Sequence, residues 1–460
     1  MTFKRYREEA AATLQLGGPL ILAQLAQVSM GFVDAVMAGR LSARDLAAIA
    51  VGANVFWPIC FGWAAVLIAV SPSVSHLYGA NDRDGIGHCV RQGLWLAVVM
   101  GACAFISLRN APYLLHRAGI APELIPTTTG FLRAIAWGAP GLCIFQVLRS
   151  YSEGVSLTRP VMYTSIAALL ANIAGDYILM YGKLGVPRLG AVGCGYASAI
   201  VMWMNAAVMF IYILAHREYK PDRSFSRFEA PRWPQIRRLL HLGIPMSMSW
   251  FMEASLFGVI ALLIGTLGTT TVAGHQIALN VASITFMVPL GIAMAITVRV
   301  GQAMGRNDRE GARAAGFAGI MLAGGFMALA GLCLFTFPYL ITGIYTKDPA
   351  VRKVGVTLLY MAAFFQISDG LQVAGAGALR GLKDTKFPMV ITFVAYWLIG
   401  LPLGYTLGIA MGGGAKAMWV GIICGLTTAA VLLNTRFFVV TRLDQRLEEN
   451  RGRAAGSNFS

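Results

Sequence analysis

The sequence predicts an all-α polytopic membrane protein: twelve transmembrane helices in two parallel six-helix bundles, with a pseudo-two-fold axis along the membrane normal. Three observations carry that prediction: depletion of charge, long runs without Lys or Arg, and an internal repeat. Hydrophobic residues make up 57% of the chain and charged residues 13%, with a mean hydropathy of +0.64. A soluble domain is about 45–50% apolar and about 25% charged. Ten or more runs of roughly 20 residues carry no base and few acids, the length a helix needs to cross hydrocarbon. They do not alternate in the segments of about ten residues that a β-barrel uses.

The elements follow in order. The N-terminus "MTFKRYREEAA" (residues 1–13 are expected to be cytoplasmic) mixes both charges, and the run after it is long enough to be a span rather than a cleavable leader. The first bundle, 14–215, holds predicted helices over 14–38, 46–71, 90–109, 127–150, 160–182 and 189–215. Residues 216–238, "HREYKPDRSFSRFEAPRWPQIRR", hold three prolines and seven Lys or Arg, so 216–239 reads as a cytoplasmic linker. The second bundle, 240–440, holds helices over 240–265, 273–297, 315–337, 354–378, 388–410 and 415–440. The tail 441–460 is polar and expected to be disordered in the cytoplasm.

The formal charge is +16. In a soluble protein that would raise nucleic acid as a partner. Here most of the 37 Lys and Arg fall in the termini and alternate loops, so positive-inside bias places both termini inside and no nucleic acid is expected. The seven cysteines are scattered, without a C-x-x-C or Cys/His cluster, and read as packing residues.

Setting "LGGP" (16–19) on "LGIP" (242–245) and continuing without a gap superposes Gly39 on Gly265, Leu41 on Leu267, Ala47 on Ala273 and Asn54 on Asn280. "GANDRDG" (79–85) then meets "GRNDREG" (305–311), differing only at Ala80/Arg306 and Asp84/Glu310. Each half holds an even number of spans, so the repeats share one orientation, an arrangement that suggests a transporter. Under this alignment Glu253 meets Gln27 and Asp34 meets Ile260, so neither acid has an acidic counterpart.

Most of the 21 acids lie in loops or tails. Four lie inside predicted spans: Asp34 ("GFVDAVMAG"), Asp176 ("ANIAGDYILM"), Glu253 ("SWFMEASLFG") and Asp369 ("FFQISDGLQVAG"). A charge at the bilayer centre costs about 2.5–3.5 kcal/mol on insertion scales. Pairing with buried bases is one way to offset it, but few bases lie within spans; Arg133 and Arg299 come nearest. Permanent protonation is another. The third is a proton, Na⁺ or organic cation, ligands that compete for one carboxylate as an antiporter requires. Asn172 and Asp176 share a helical face. With Asp34 they form a candidate oxygen-rich site suited to Na⁺ or a proton network. His275, in "VAGHQIALN", is either a proton relay or a hydrogen-bonded packing residue, and Gln276 with Asn280 offers a polar stripe. No Walker motif, nucleophile–base set or His-Glu-x-x-His run appears, so neither ATP drive nor an enzyme is expected, and no cofactor.

Together "AQVSMGFVDAVMAG" (26–39), "SEGVSLTRPVM" (152–162), "AGHQIALN" (273–280) and "GALRGLKDTKFPM" (377–389) resemble the multidrug and toxic compound extrusion (MATE) family, most closely its NorM-type branch, over 14–440. The resemblance implies two bundles around a central cavity in a bacterial-type inner (plasma) membrane. It implies export of amphipathic, mostly cationic drugs and dyes in exchange for inward Na⁺ or H⁺, by a chain expected to act as a monomer. Asp34 matches the family's N-lobe acid, and Asn172 and Asp176 its fifth-helix polar pair, where many NorM-type members have Asn at the second position. Glu253 and Asp369 match the C-lobe acids; they would hold Na⁺ in a sodium-coupled protein. The alternative within the same superfamily is a lipid-linked oligosaccharide flippase, which would need several cavity Arg or Lys for pyrophosphate.

Overall fold

The computed structural model describes residues 3–117, 121–222, 224–225 and 228–456, and among these there are helices and turns but no strand. Among the described residues twelve helices are long and apolar enough to cross a membrane: α1 Lys4–Leu41, α2 Ala43–Gly79, α3 Arg83–Asn110, α4 Ile125–Gly154, α5 Arg159–Tyr181, α6 Ala191–Ala215, α7 Trp233–Gly265, α8 Thr269–Gly305, α9 Arg309–Thr336, α10 Pro349–Gly381, α11 Lys386–Ala410 and α12 Gly414–Arg442. Each predicted span lies largely within one of them. Several run further than hydropathy alone marks, because a helix continues past the hydrocarbon wherever its polar end finds partners. The helix of α12 continues to Gly456, so the tail expected to be disordered is helical through that residue.

Two compact units divide the chain: Met1–Ile21 with Met252–Ser460, and Leu22–Phe251. Both divisions fall inside long helices, α1 and α7. In the first unit the polar start of α1 is held by ion pairs. Arg5 meets Asp308 at 2.7 Å and Arg299 meets Glu9 at 2.7 Å. Burial opposes ionisation of Asp308. The Gly311 N–H and the Arg5 guanidinium outweigh it and hold the carboxyl below its ordinary range. The core of this unit gathers Leu256, Ile260, Ile296, Phe365, Tyr396, Trp419 and Phe437 from five of the helices. Where α11 meets α12 a Cβ on Gly421 would come within 2.4 Å of the Gly404 backbone. Only glycine permits that approach, a common device where lipid supplies no hydrophobic drive between helices.

The repeat is visible in backbone geometry. The turn after α2 passes through Asn81 with φ 58° and the turn after α8 through Asn307 with φ 57°. The left-handed conformation favours Asn over other non-glycine residues. In both turns the next residue closes the same long hydrogen bond, Asp82 N–H to Leu77 O at 2.9 Å and Asp308 N–H to Ala303 O at 2.8 Å. Each aspartate then caps the following helix through the N–H three residues on, at 2.8 Å. Ser156 after α4 and Lys383 after α10 form a second matched pair, with φ 67° and 60°.

In the second unit, the segment between α6 and α7 is clamped to α3. Arg83 binds the buried Asp222 at 2.9 Å, and the Tyr151 hydroxyl donates to the same carboxylate at 2.8 Å. Glu229 takes His88 at 2.7 Å, Arg91 at 2.9 Å and Arg232 at 3.3 Å. Backbone carbonyls of Glu229 and Ala230 accept from Trp95 and Gln92. The His88 hydrogen bond, followed by Arg91, overcomes the burial of Glu229 and pulls its carboxyl down to about 2. The clamp's contribution is therefore complete above the ordinary carboxylate pKa of 4.5 and is lost as pH falls through about 2.

Glu229→Gln should produce that loss at neutral pH. Limited proteolysis within 216–232 is expected to speed up several-fold, while Glu218→Gln, an exposed carboxylate whose nearest base is His216 at 3.9 Å, should leave the rate unchanged. Equal rates in the wild type and Glu229→Gln would remove the clamp's significance.

Candidate ion and substrate sites

In the second unit three helices bring polar side chains to one point. Asp34 comes from α1, Asn172 and Asp176 from one face of α5, and Cys194 from the first turn of α6. Ligand atoms of Asp34, Asp176 and Cys194 lie within 4.8 Å of one another. Asn172 is 2% exposed and Asp176 0%. Oδ1 of Asp34, Oδ1 of Asn172 and both oxygens of Asp176 have no hydrogen-bond partner among the described residues. The cluster opens on a cavity of ≈ 970 Å³, counted to its open mouth, whose walls include Gln27, Asp34, Asn172, Ser198 and Asn205 beside Met30, Trp57, Phe131 and Met202. A few polar groups set among aromatic and thioether side chains is the make-up of an adaptable small-molecule site.

In the first unit, Gln372 donates from Nε2 to Glu253 at 3.0 Å. Gln372 lies one turn beyond Asp369 on α10, and both are almost fully buried. Glu253, on α7, is close enough to act electrostatically on Asp369. The Tyr396 hydroxyl is buried, has no hydrogen-bond partner among the described residues, and feels both carboxylates. It is carried by Val394–Gly400, a π-helical stretch of α11; such bulges recur at functional sites because they redirect side chains. Arg380, three turns along α10 from Asp369, is buried and its charge acts on Glu253.

All five acid and amide residues singled out in the sequence thus fall into two clusters, one in each unit. On α8, His275 lies apart from the Gln276 and Asn280 stripe. His275 is 1% exposed and accepts the Trp419 indole N–H on Nδ1 at 3.1 Å, which fixes a neutral ring with its proton on Nε2. Gln276 and Asn280 are exposed, and Asn280 accepts the Tyr345 hydroxyl at 2.8 Å.

Four site residues escaped sequence reasoning. Cys194 looked like a packing residue, and Tyr396 and Gln372 carry no charge to flag them. Arg380 sat at the edge of a predicted span. Arg149, a base that sequence reasoning did not single out, forms a buried pair with Glu153 at 2.7 Å and also donates to Gln24 at 2.8 Å. Within a helix this spacing of four residues was the available signal.

The profile of the MatE family matches residues 19–178 and 245–406. The chain is 40% identical over 436 residues to "Probable multidrug resistance protein NorM" of Idiomarina loihiensis, covering 94% of each chain. It is 42% identical over 440 residues to "Multidrug resistance protein MdtK" of Yersinia enterocolitica, covering 94% of this chain and 96% of the relative. Among solved structures, "Crystal structure of MATE in the straight conformation" superposes with a TM-score of 0.87 at 20% identity, covering 95% of this chain and 97% of that one.

The Gln372 bond to Glu253 has a measurable cost of removal. Gln372→Met keeps the volume but leaves a partly buried carboxylate without its donor. A loss of about 1.5–3 kcal/mol is expected for a hydrogen bond to a charged group, read as a lower thermal midpoint of the purified protein in buffer without added Na⁺. An unchanged midpoint would show that Glu253 does not depend on this bond.

Proposed function

The chain belongs to the MatE family, and from that premise we propose that it is a secondary active multidrug efflux antiporter. It exports amphipathic, mostly cationic organic compounds in exchange for inward Na⁺ or H⁺, as a monomer in a bacterial-type inner membrane with both termini in the cytoplasm. The observation that carries the reading is the pair of intramembrane acid clusters, above all the buried oxygens of Asp34, Asn172 and Asp176 without hydrogen-bond partners. A carboxylate in a membrane interior is stable only with a proton, a cation or a charged partner, and the first two are the coupling ions.

Glu253 and Asp369 are the C-lobe cation site. Their carboxylates, the Tyr396 oxygen and the carbonyl oxygen of Gln372, left available when Nε2 donates to Glu253, make an all-oxygen donor set, which suits Na⁺ or a proton better than a transition metal. Asp34, Asn172 and Asp176 are the N-lobe ion or proton site. An ion entering either cluster down the membrane potential brings about 2.3 kcal/mol per 100 mV. That energy drives export if ion and drug favour opposite states of one conformational equilibrium. The cavity residues described in the second unit include Asp34 and no Lys or Arg, which fits an organic cation and not the pyrophosphate of a lipid-linked oligosaccharide.

In proteoliposomes, an imposed inward Na⁺ or H⁺ gradient should drive efflux of a cationic dye, with one gradient effective alone. Glu253→Gln and Asp369→Asn should each reduce the coupled rate at least about tenfold, the effect of about 1.4 kcal/mol or more. Gradient-driven efflux at the wild-type rate in both variants would overturn the C-lobe assignment.

A further inference from the structure

We propose that Asp34, Asp176 and Cys194, with Asn172, form a binding site for one thiophilic divalent metal ion of the Cd²⁺ or Zn²⁺ type. The inference goes beyond the coupling role proposed above, because it rests on the chemistry of the donor set and not on coupled transport.

The donors are gathered. Metal–ligand bonds of about 2.0–2.3 Å place donors on opposite sides of an ion just over 4 Å apart, and the three ligand atoms lie within 4.8 Å of each other, so small rotamer adjustments would bring them onto one ion. Among the described residues this is the one group of three or more such ligands so arranged. The donors come from three different helices, so their approach is set by packing and not by a loop. Asn172 and Asp176 supply the second observation. Both are at least nine-tenths buried, and their Oδ1 atoms, with Oδ2 of Asp176, point into the cluster without a hydrogen-bond partner among the described residues.

The sulfur decides the class of ion. A proton or an alkali ion gains little from a thioether- or thiol-type donor, whereas soft divalent ions select it. Metal binding replaces the proton on sulfur: the Cys194 S–H bond breaks, the S–metal bond forms, and the proton leaves through the cavity on which Asp34 and Asn172 open. With Cys194 as thiolate, one aspartate ionised and the other protonated, a divalent ion leaves the site electrically neutral. Neutrality removes the cost of buried charge that the empty pair of acids would carry. An occupied site excludes the proton or alkali ion from the same oxygens and ties α1, α5 and α6 together.

The test uses the purified full-length chain and Cd²⁺ alone as the probe, followed by the near-ultraviolet thiolate-to-metal charge-transfer band. One Cd²⁺ per chain should raise the band with release of protons. The band should vanish in Cys194→Ser and persist in a variant whose other six cysteines are alanine. In that six-alanine background, Asp34→Ala and Asp176→Ala, which remove the ligand oxygens, should each weaken Cd²⁺ at least about tenfold, as losing a metal-site contact does. A band that survives in Cys194→Ser, is absent when Cys194 is the sole cysteine, or is unmoved by both aspartate changes would overturn the proposal. If Cys194→Ser does not fold, the six-alanine series decides by itself. Dye efflux is not part of the readout, so failure of the antiport reading and failure of the metal site are separate outcomes.

Discussion

In hydrocarbon no water is available to satisfy a polar group, so each must find its partner within the protein. The helices meet this demand for the backbone. Side-chain hydroxyls meet it by turning back onto their own helix: Ser73 donates to Ala69 O, Ser75 to Ser71 O, Thr297 to Ala293 O and Thr342 to Pro338 O, all at 2.7–2.9 Å. The indole of Trp419 finds His275. Other buried polar atoms, among them the Tyr396 hydroxyl, the Trp397 indole N–H and Oε1 of Gln366, lack a hydrogen-bond partner among the described residues, as do oxygens of Asp34, Asn172 and Asp176. What sets Asp34 and Asp176 apart is that they stand together, two carboxyls in one buried cluster.

Duplication explains what the two units share and where they part. The shared features are those that terminate helices: left-handed Asn81 and Asn307, capping Asp82 and Asp308, and the turns at Ser156 and Lys383. These depend on local backbone geometry, which is the same in both units. The chemistry does not repeat. Ile260, the counterpart of Asp34, is buried in the apolar core of its unit. Gln27, the counterpart of Glu253, lines the cavity of the other. Helix ends were retained because the fold needs them, whereas the interior polar positions were free to take different ligands.

The same division governs what could be read from sequence. Twelve spans and the repeat were legible because hydrophobic run length and turn motifs are local signals. The five acid and amide positions were legible because a charge, or an amide one turn from a charge, stands out in an apolar run. Partners supplied by packing were not legible. Nothing in "AVGCGYASA" announces that Cys194 faces two aspartates, and nothing in "FVAYWLIG" announces a π-helical turn aimed at Glu253 and Asp369. His275 was legible only as two alternatives, a proton relay or a hydrogen-bonded packing residue; the Trp419 indole N–H that it accepts is a partner supplied by packing, which the run around it does not announce. The segment after α6 looked like a linker by composition, because its prolines and bases do not reveal that Arg83, His88 and Arg91 of α3 receive its acids.

The charge surrounding the two acid clusters differs. Aligning Gly154 with Gly381 places Glu153 opposite Arg380, an inversion of sign at equivalent turns. Glu153 is neutralised by Arg149 within its own helix, so that end of the second unit adds no net field. Arg380 is buried and its charge reaches Glu253. The C-lobe pair of acids therefore sits in the field of a resident cation, and the N-lobe pair has no comparable base acting on it among the described interactions. A fixed positive charge weakens the hold of nearby carboxylates on any second cation. In the antiport reading proposed above, that charge would make the C-lobe pair the weaker holder of a second cation and the N-lobe pair the stronger.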